Sequence, residues 1–209
     1  MDLFIAQLKQ RLKEALPGVE AQAHMSPMRL EDERFEQAPL KRARQGAVLL
    51  LLYPHEHRLY MPLMQRPEYN GHHSGQISFP GGKQEPEDEN KIRTALREAH
   101  EEMGILPHQV ELLGTLSELY IPPSNYLVLP VVGWVKQRPH FIPDPVEVAN
   151  IIEAPLDLLL DSKTIQHTYQ NLASGMRVKI PYFNVEEQVV WGATAMILSE
   201  FLAVVRELD

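Results

Sequence analysis

Glu98, Glu101 and Glu102 stand at i, i+3 and i+4 in the segment Lys91-Ile-Arg-Thr-Ala-Leu-Arg-Glu-Ala-His-Glu-Glu-Met103. On a helix, at about 100° per residue, these three carboxylates share an arc of roughly 100°. Like charges so spaced cost an isolated helix roughly 0.2–0.5 kcal/mol per pair. A hard divalent cation offsets that repulsion. Mg²⁺ takes oxygen ligands, typically one or two carboxylates together with substrate phosphates and water. Arg97, beside them, can pair with a glutamate and orient it. By itself E-x-x-E-E is more often a solvated acidic face. The loop ahead of it changes that balance, because Phe79-Pro-Gly-Gly82-Lys83 supplies glycines that let backbone approach a ligand closely. Gly82, a loop of fourteen residues, then Arg97-Glu98-x-x-Glu101-Glu102-x-Gly104-Ile105 is a far more specific combination than either half.

The elements that must position these groups follow from periodicity. Ile92, Ala95, Leu96, Ala99 and Met103 recur on one helical face, predicting a helix over 91–103 closed by Gly104. The apolar run Ala47–Tyr53 reads as a buried strand, with Leu59–Gln65 its partner across a hairpin loop at 54–58. Residues 67–84 read as a loop with a short strand at Gln76–Phe79. Strands are expected at Val110–Leu119, Tyr126–Val135 and Val146–Ile152. Pro155–Leu160 reads as a short helix, and Thr164–Tyr169 with Met176–Phe183 as a hairpin. Gly192–Glu207 is expected to be a closing helix with Ile197, Phe201, Val204 and Val205 inward. At the other end, Ile5, Leu8, Leu12 and Leu16 predict an amphipathic helix over 2–16, stopped by Pro17-Gly18. The expected class is α/β, with helices packed on a mixed sheet. Residues 1–44 are expected to form an N-terminal helix and linker, and 45–209 the main domain.

Bulk composition narrows the classes. The chain has 209 residues, 44% of them hydrophobic and 23% charged, which suits one ordinary globular domain with extensions. It has no cysteine, which excludes disulfide scaffolds, Cys-based zinc sites and a cysteine nucleophile. That fits a reducing cytoplasm, the expected compartment. A net charge of −8 argues against a general nucleic-acid binder. No apolar run approaches the roughly 20 residues of a spanning helix, and the N-terminus does not read as a secretory signal, so no membrane partner is expected. An acidic protein acting on an anionic substrate needs local cations or a metal.

The loop–helix combination resembles the box of the Nudix hydrolase family, Gly-x5-Glu-x7-Arg-Glu-(apolar)-x-Glu-Glu-x-Gly-(apolar). Arg97, Glu98, Ala99, Glu101, Glu102, Gly104 and Ile105 match its second half. The first half departs in spacing: Glu89 stands eight before Arg97, yet Gly82 lies one residue too far upstream of it. The subgroup resembling coenzyme A pyrophosphatases has such a longer loop, with Asp88 six after the glycine. Its upstream signature matches at Arg66, Gly75 and Phe79–Gly82, and departs at Met64, Pro67 and Gly71. The resemblance, which spans roughly residues 45–195, implies a Nudix-like alpha/beta/alpha sandwich. It implies Mg²⁺, with Mn²⁺ as an alternative, held by Glu98, Glu102, Glu101 and the carbonyl of Gly82. It also implies cleavage of a nucleoside diphosphate linked to another group: coenzyme A or derivatives first, ADP-ribose or a nucleoside diphosphate sugar second. A non-catalytic nucleotide-binding module is the third reading, and the intact box glutamates weigh against it.

Several further residues are candidates for that chemistry. Arg97 orients the acidic cluster. Glu101, Glu102 and Glu147 are candidate general bases, with Glu153 less favoured. Arg66 and Lys83 flank the loop and are the first choices for substrate phosphate. Arg44, in the run Lys41-Arg42-Ala43-Arg44, is a candidate for a distal phosphate, and His73 for substrate contact in the Gly-rich loop. Tyr120 and Tyr126 could stack on a base. The expected partner is a small-molecule nucleotide. The N-terminal helix and the 164–183 hairpin are candidate homodimer elements.

Overall fold

The structure is a computed structural model and describes residues 1–27, 40, 42–68, 75–171 and 177–208. His72, His73, Gly71 and Lys41 therefore lie outside the described residues. The predicted acidic helix is found with its predicted bounds, α3 at Lys91–Met103. The long strand β1 (Arg44–His55) is the centre of the fold. It runs parallel to β7 (Tyr126–Trp134) from Arg44↔Tyr126 to Leu52↔Trp134. It also pairs antiparallel with β2 (Arg58–Gln65) at one end and with the short β4 (Gly81–Lys83) at the other. β3 (Ile77–Ser78) and β8 (Asn150–Pro155) pair with β2, while β5 (Glu111–Thr115) and β6 (Leu119–Ile121) pair with β7. The result is an eight-stranded mixed sheet. Glu56 and His57 turn the β1–β2 hairpin with φ of 47° and 63°, the doubly positive pair of a two-residue turn that follows strand twist.

The run at 47–53 is apolar throughout because both faces of β1 are covered. Ala47, Leu49, Leu51 and Tyr53 share one core with Ala95, Leu96, Ala99 and Met103 of α3. Leu50 and Leu52 share the other with Val132 and Trp134 of β7. That second core takes Met196, Phe201 and Val204 from α5 (Gly192–Arg206), and Ile5 and Leu8 from α1 (Asp2–Arg11). Side chains alternate across a strand, so a strand roofed on both sides loses the polar half of its pattern. Helices on both faces make the expected α/β/α sandwich.

Five expectations need correction. The N-terminal helix stops at Arg11 rather than 16, and a second helix, α2 (Gly18–Ala23), stands in the segment read as linker. Its six residues have no strong period of their own. Contacts with α5 stabilise them: Gln22 Nε2 donates to Glu200 (2.8 Å), and Ser199 Oγ donates to the Ala21 carbonyl (2.7 Å). The strand expected at 146–152 begins only at Asn150, because the Asp144 carboxylate accepts the backbone N–H of Val146 (2.7 Å) and Glu147 (3.3 Å) and turns the chain there. The span 110–119 divides into β5 and β6. The late hairpin, β9 (Ile165–Asn171) and β10 (Arg177–Val185), gains a third strand, β11 (Gln188–Val190), in a separate sheet. α4 (Leu156–Leu160) is where the short helix was expected.

Candidate active site

α3 is fixed at both ends by local chemistry. The Asn90 side chain caps its first turn by accepting from Arg93 N (3.0 Å). Gly104 ends it at φ 73°, donating to the His100 carbonyl (2.9 Å), while Ile105 N donates to Ala99 (3.3 Å). The loop ahead is tied down by Asp88. Its carboxylate accepts from Glu85 N (3.0 Å), Thr94 Oγ1 (3.0 Å), and the Nε (3.0 Å) and Nη2 (2.9 Å) of Arg97. Those contacts hold the Asp88 carboxyl well below the usual carboxylate range, the Arg97 bonds outweighing burial. Glu89 is exposed, and Asp88 is the loop acid that grips the arginine. Arg97 further donates Nη2 to the Lys83 carbonyl (3.0 Å), and Nη1 to both Glu98 (2.9 Å) and Glu101 (2.9 Å). All five of its N–H donors are thus engaged. It locks loop, strand β4 and acidic face into one unit.

Glu102 is the most enclosed of the three glutamates on the acidic face of α3, 1% exposed. One oxygen accepts from Gly81 N (2.7 Å), and the other meets Arg66 Nη2 (3.3 Å), which also donates to the Gly81 carbonyl (3.3 Å). Burial nevertheless pushes its carboxyl up to about 8. Arg66 and the Gly81 N–H oppose that, and the charges of Glu98 and Glu147 add to it. Glu98 is also raised, by burial first and against Arg97, with Glu101 and Glu147 adding. Its carboxyl lies directly on the loop glycine: a Cβ built on Gly82 would stand 2.6 Å from the Glu98 carboxyl carbon. Gly81 is as tightly constrained, since a Cβ there would meet the Ala47 carbonyl oxygen at 2.3 Å. Both glycines are required for close approach.

Glu147 reaches this cluster from a different element. Ile142 N donates to the Met103 carbonyl (2.9 Å) and Asp144 N to the Glu102 carbonyl (2.9 Å), so the loop after β7 is sewn to the end of α3. The Asp144-capped turn then brings Glu147 close enough for its charge to act on both Glu98 and Glu102. Glu153 is instead engaged by Arg138 (2.7 and 2.6 Å) and the Tyr53 hydroxyl (2.7 Å).

Arg66, Gly82, Arg97, Glu98 and Glu102 therefore come together directly. Glu101 joins through Arg97 and is otherwise exposed. Lys83 contributes its carbonyl, while its ammonium lies 3.3 Å from Glu85. Arg44 lies on the opposite face of β1, its guanidinium 5.8 Å from the Tyr126 ring centre. Sequence reasoning missed the hub role of Asp88 and the parts played by Gly81, Thr94 and Asp144. The Asp88–Arg97 spacing was the available signal for the first of these.

Among the described residues, no three His, Asp or Glu side chains are grouped so that they could hold a metal ion by themselves. An open site is what Mg²⁺ uses, since it keeps water and substrate phosphate among its ligands. Two enclosed carboxylates that burial drives towards protonation form a hard-oxygen donor set short of positive charge. That set fits a divalent ion.

The fold is an α/β/α sandwich in which a glycine loop packs on an acidic helix. The NUDIX domain model matches residues 43–165, over half the chain. The chain belongs to the Nudix hydrolase family. It is 39% identical over 129 residues to the "uncharacterized Nudix hydrolase NudL" of Photorhabdus laumondii, covering 61% of this chain and 67% of that protein. NudL of Yersinia pestis is 38% identical over 136 residues, covering 65% and 67%. Among solved structures, the Nudix hydrolase RenU of M. smegmatis aligns with a TM-score of 0.56 over 80% of this chain and 88% of its own, at 17% identity. A MutT/nudix family protein of Enterococcus faecalis aligns at 0.51, over 78% and 62%, also at 17% identity. Likeness at that identity bears on fold alone.

Proposed function

We propose that the chain is a Mg²⁺-dependent pyrophosphohydrolase, with Mn²⁺ as an alternative ion, that cleaves coenzyme A or its derivatives to 3′,5′-ADP and 4′-phosphopantetheine. The observation that carries this reading is the grip of Asp88 on Arg97. That contact spans nine residues rather than the eight of the general box, which supports the longer loop of the coenzyme A pyrophosphatase-like subgroup. Arg66, Gly75 and Phe79–Gly82 agree with the same subgroup in register, and Arg66 meets Glu102 beside Gly81.

In this reading, Glu98, Glu101 and Glu102 with the Gly82 carbonyl are the groups that would hold the metal. When bound, the ion supplies charge neutralisation at the bridge oxygens and a more acidic water. Arg97 keeps the carboxylates in place. Arg66 and Lys83 offset the charge of the diphosphate. Glu147, attached through a loop rather than through the rigid helix, is the base that takes the proton of the attacking water. Glu98 and Glu102 are better suited to the metal, being enclosed and directed at the glycine loop.

The test is incubation of the purified protein with Mg²⁺ and, separately, coenzyme A, ADP-ribose and a nucleoside diphosphate sugar, with products identified by mass spectrometry and Glu102→Gln as control. Release of 3′,5′-ADP and 4′-phosphopantetheine by wild type alone supports the reading. Cleavage of ADP-ribose instead would replace the substrate. No cleavage with Mg²⁺ or Mn²⁺ would leave the nucleotide-binding module as the better account.

A further inference from the structure

We propose that Arg44, stacked on Tyr126 and set in place by Asn125, reads a substrate phosphate that is not part of the cleaved bridge. This rests on the nucleoside diphosphate reading above and extends it to specificity. The first observation concerns charge. Arg11, Arg58, Arg66, Arg97 and Arg138 each meet a carboxylate. Arg44 is exposed and, like Arg42, Arg93, Arg177 and Arg206, forms no ion pair among the described residues; what sets it apart is its place beside β4, with its guanidinium 5.8 Å from the Tyr126 ring centre. A guanidinium lying over an aromatic ring keeps its in-plane N–H fork free for a phosphate. In a chain of net charge −8, an unneutralised cation across β1 from the acidic cluster is available to an anionic ligand.

The second observation is position. Gly46 is two residues along β1 from Arg44, on the same face. A Cβ at Gly46 would meet the Gly82 carbonyl oxygen at 2.7 Å and the Tyr126 ring at 3.2 Å. The Tyr126 ring edge and the carbonyl of the box glycine thus border the same small gap, which only glycine leaves open. Arg44 is therefore held next to the reaction site but across β1 from its carboxylates. A cation there suits a phosphate at some remove from the bridge.

The third observation explains why the segment Tyr120-Ile-Pro-Pro-Ser-Asn125 precedes Tyr126. Asn125 adopts φ 53°, a left-handed conformation that asparagine tolerates well. Its side chain accepts from the Tyr120 hydroxyl (3.1 Å) and donates to the Arg42 carbonyl (3.3 Å). Its own carbonyl accepts from Arg44 N (2.8 Å). Asn125 thus fixes the backbone on both sides of residue 43, and is a positioning residue for Arg44.

The test measures binding of 3′,5′-ADP and 5′-AMP to the full chain by calorimetry, so it does not depend on turnover. Wild type is expected to prefer the bisphosphate about tenfold, the scale of one charged hydrogen-bond contact. Arg44→Ala should abolish that preference. Asn125→Ala should weaken 3′,5′-ADP severalfold while leaving 5′-AMP unchanged, a selectivity that general loosening of the fold would not give. Arg177→Ala serves as a control, because Arg177 stacks on Tyr169 (4.5 Å) in the separate sheet and should keep the preference. A wild type without preference, or an Arg44→Ala that retains it, overturns the proposal. If coenzyme A is not cleaved but the preference exists and depends on Arg44, only the coenzyme A reading falls. If coenzyme A is cleaved and the preference survives in Arg44→Ala, only this inference falls.

Discussion

Glu102→Gln should stabilise the metal-free protein while removing its activity, and it should do so only at high pH. The Glu102 carboxyl is raised from 4.5 to about 8, chiefly by burial. A carboxyl whose folded value exceeds its unfolded value favours the fold below the unfolded value, and that contribution is lost as pH rises through the folded one. Each unit is worth about 1.4 kcal/mol, so between pH 5 and pH 8 the wild type should lose roughly 3 kcal/mol that Gln does not lose. Gln keeps an oxygen for the Gly81 N–H, so the packing is conserved. For a chain of this size about 1 kcal/mol corresponds to 2–4 °C, giving a gap of roughly 6–12 °C. The assay is thermal unfolding of both proteins in chelator at pH 5 and pH 8. Near-equal melting temperatures at pH 5 and a higher one for the variant at pH 8 are expected. Every other ionisable group is common to both proteins and cancels in the difference. Adding Mg²⁺ at pH 8 should narrow the gap, because a ligand that binds only the folded wild type stabilises it. A melting difference that is the same at both pH values would refute the reasoning.

Other consequences can be measured alongside. Gly82→Ala places a methyl group 2.6 Å from the Glu98 carboxyl carbon; it should displace that carboxylate and cut kcat at least about a hundredfold, read by steady-state assay. Arg97→Lys keeps one charge but replaces five fixed donors with three; it should destabilise the fold by about 2 kcal/mol in urea titration and lower activity with it. Asp88→Asn addresses the opposite sign of pH effect. The folded Asp88 carboxyl is depressed by Arg97, so its contribution is present above the unfolded value near 4 and lost as pH falls through the folded one. Wild type should therefore exceed Asp88→Asn in stability at pH 7, with the gap closing under acid unfolding below about pH 4. Gly104→Ala would put a Cβ 2.9 Å from that of Ile142 at a φ of 73°; it should cost about 1–2 kcal/mol by denaturant titration and reduce activity by shifting the Glu147 loop.

The sequence made the acidic helix legible because three independent signals agreed: period, glycine stop and charge spacing. Their apolar runs made β1 and β2 readable as paired strands, although β1 extends from Arg44 to His55 and the turn is Glu56-His57 rather than 54–58. What escaped it was set by distant contacts. The helix at Gly18–Ala23 depends on Gln22 and Ser199 meeting α5, and no window of local sequence contains that. The turn at 144–148 depends on a side-chain oxygen outcompeting a strand ladder in a stretch with strand-like residues. In the site, Glu98 and Glu102 could be named from spacing, but their inequality could not. Glu101, one residue before Glu102 and in the same triad, is exposed; Glu102 is sealed beneath Arg66 and Gly81.

That inequality bears on how the division of labour arises. Three glutamates on one helical face begin as chemical equivalents. Arg97 takes up Glu101 and one side of Glu98. The glycine loop then closes over Glu98 and Glu102, removing water that would otherwise solvate them. A carboxylate so treated either takes a proton or gains a cation. Arg66 provides only part of that cation, at a single 3.3 Å contact. The remaining deficit is what a divalent ion can supply, and it is localised where the backbone carbonyl of Gly82 also lies. Glu147 escapes this enclosure because it comes from a loop, tied to α3 only through backbone carbonyls. Glu147 is thus exposed, near the enclosed pair yet not enclosed with them, as the base proposed above would have to be. In the reading proposed above, the division between helix for metal and loop for proton would follow from where the chain is buried.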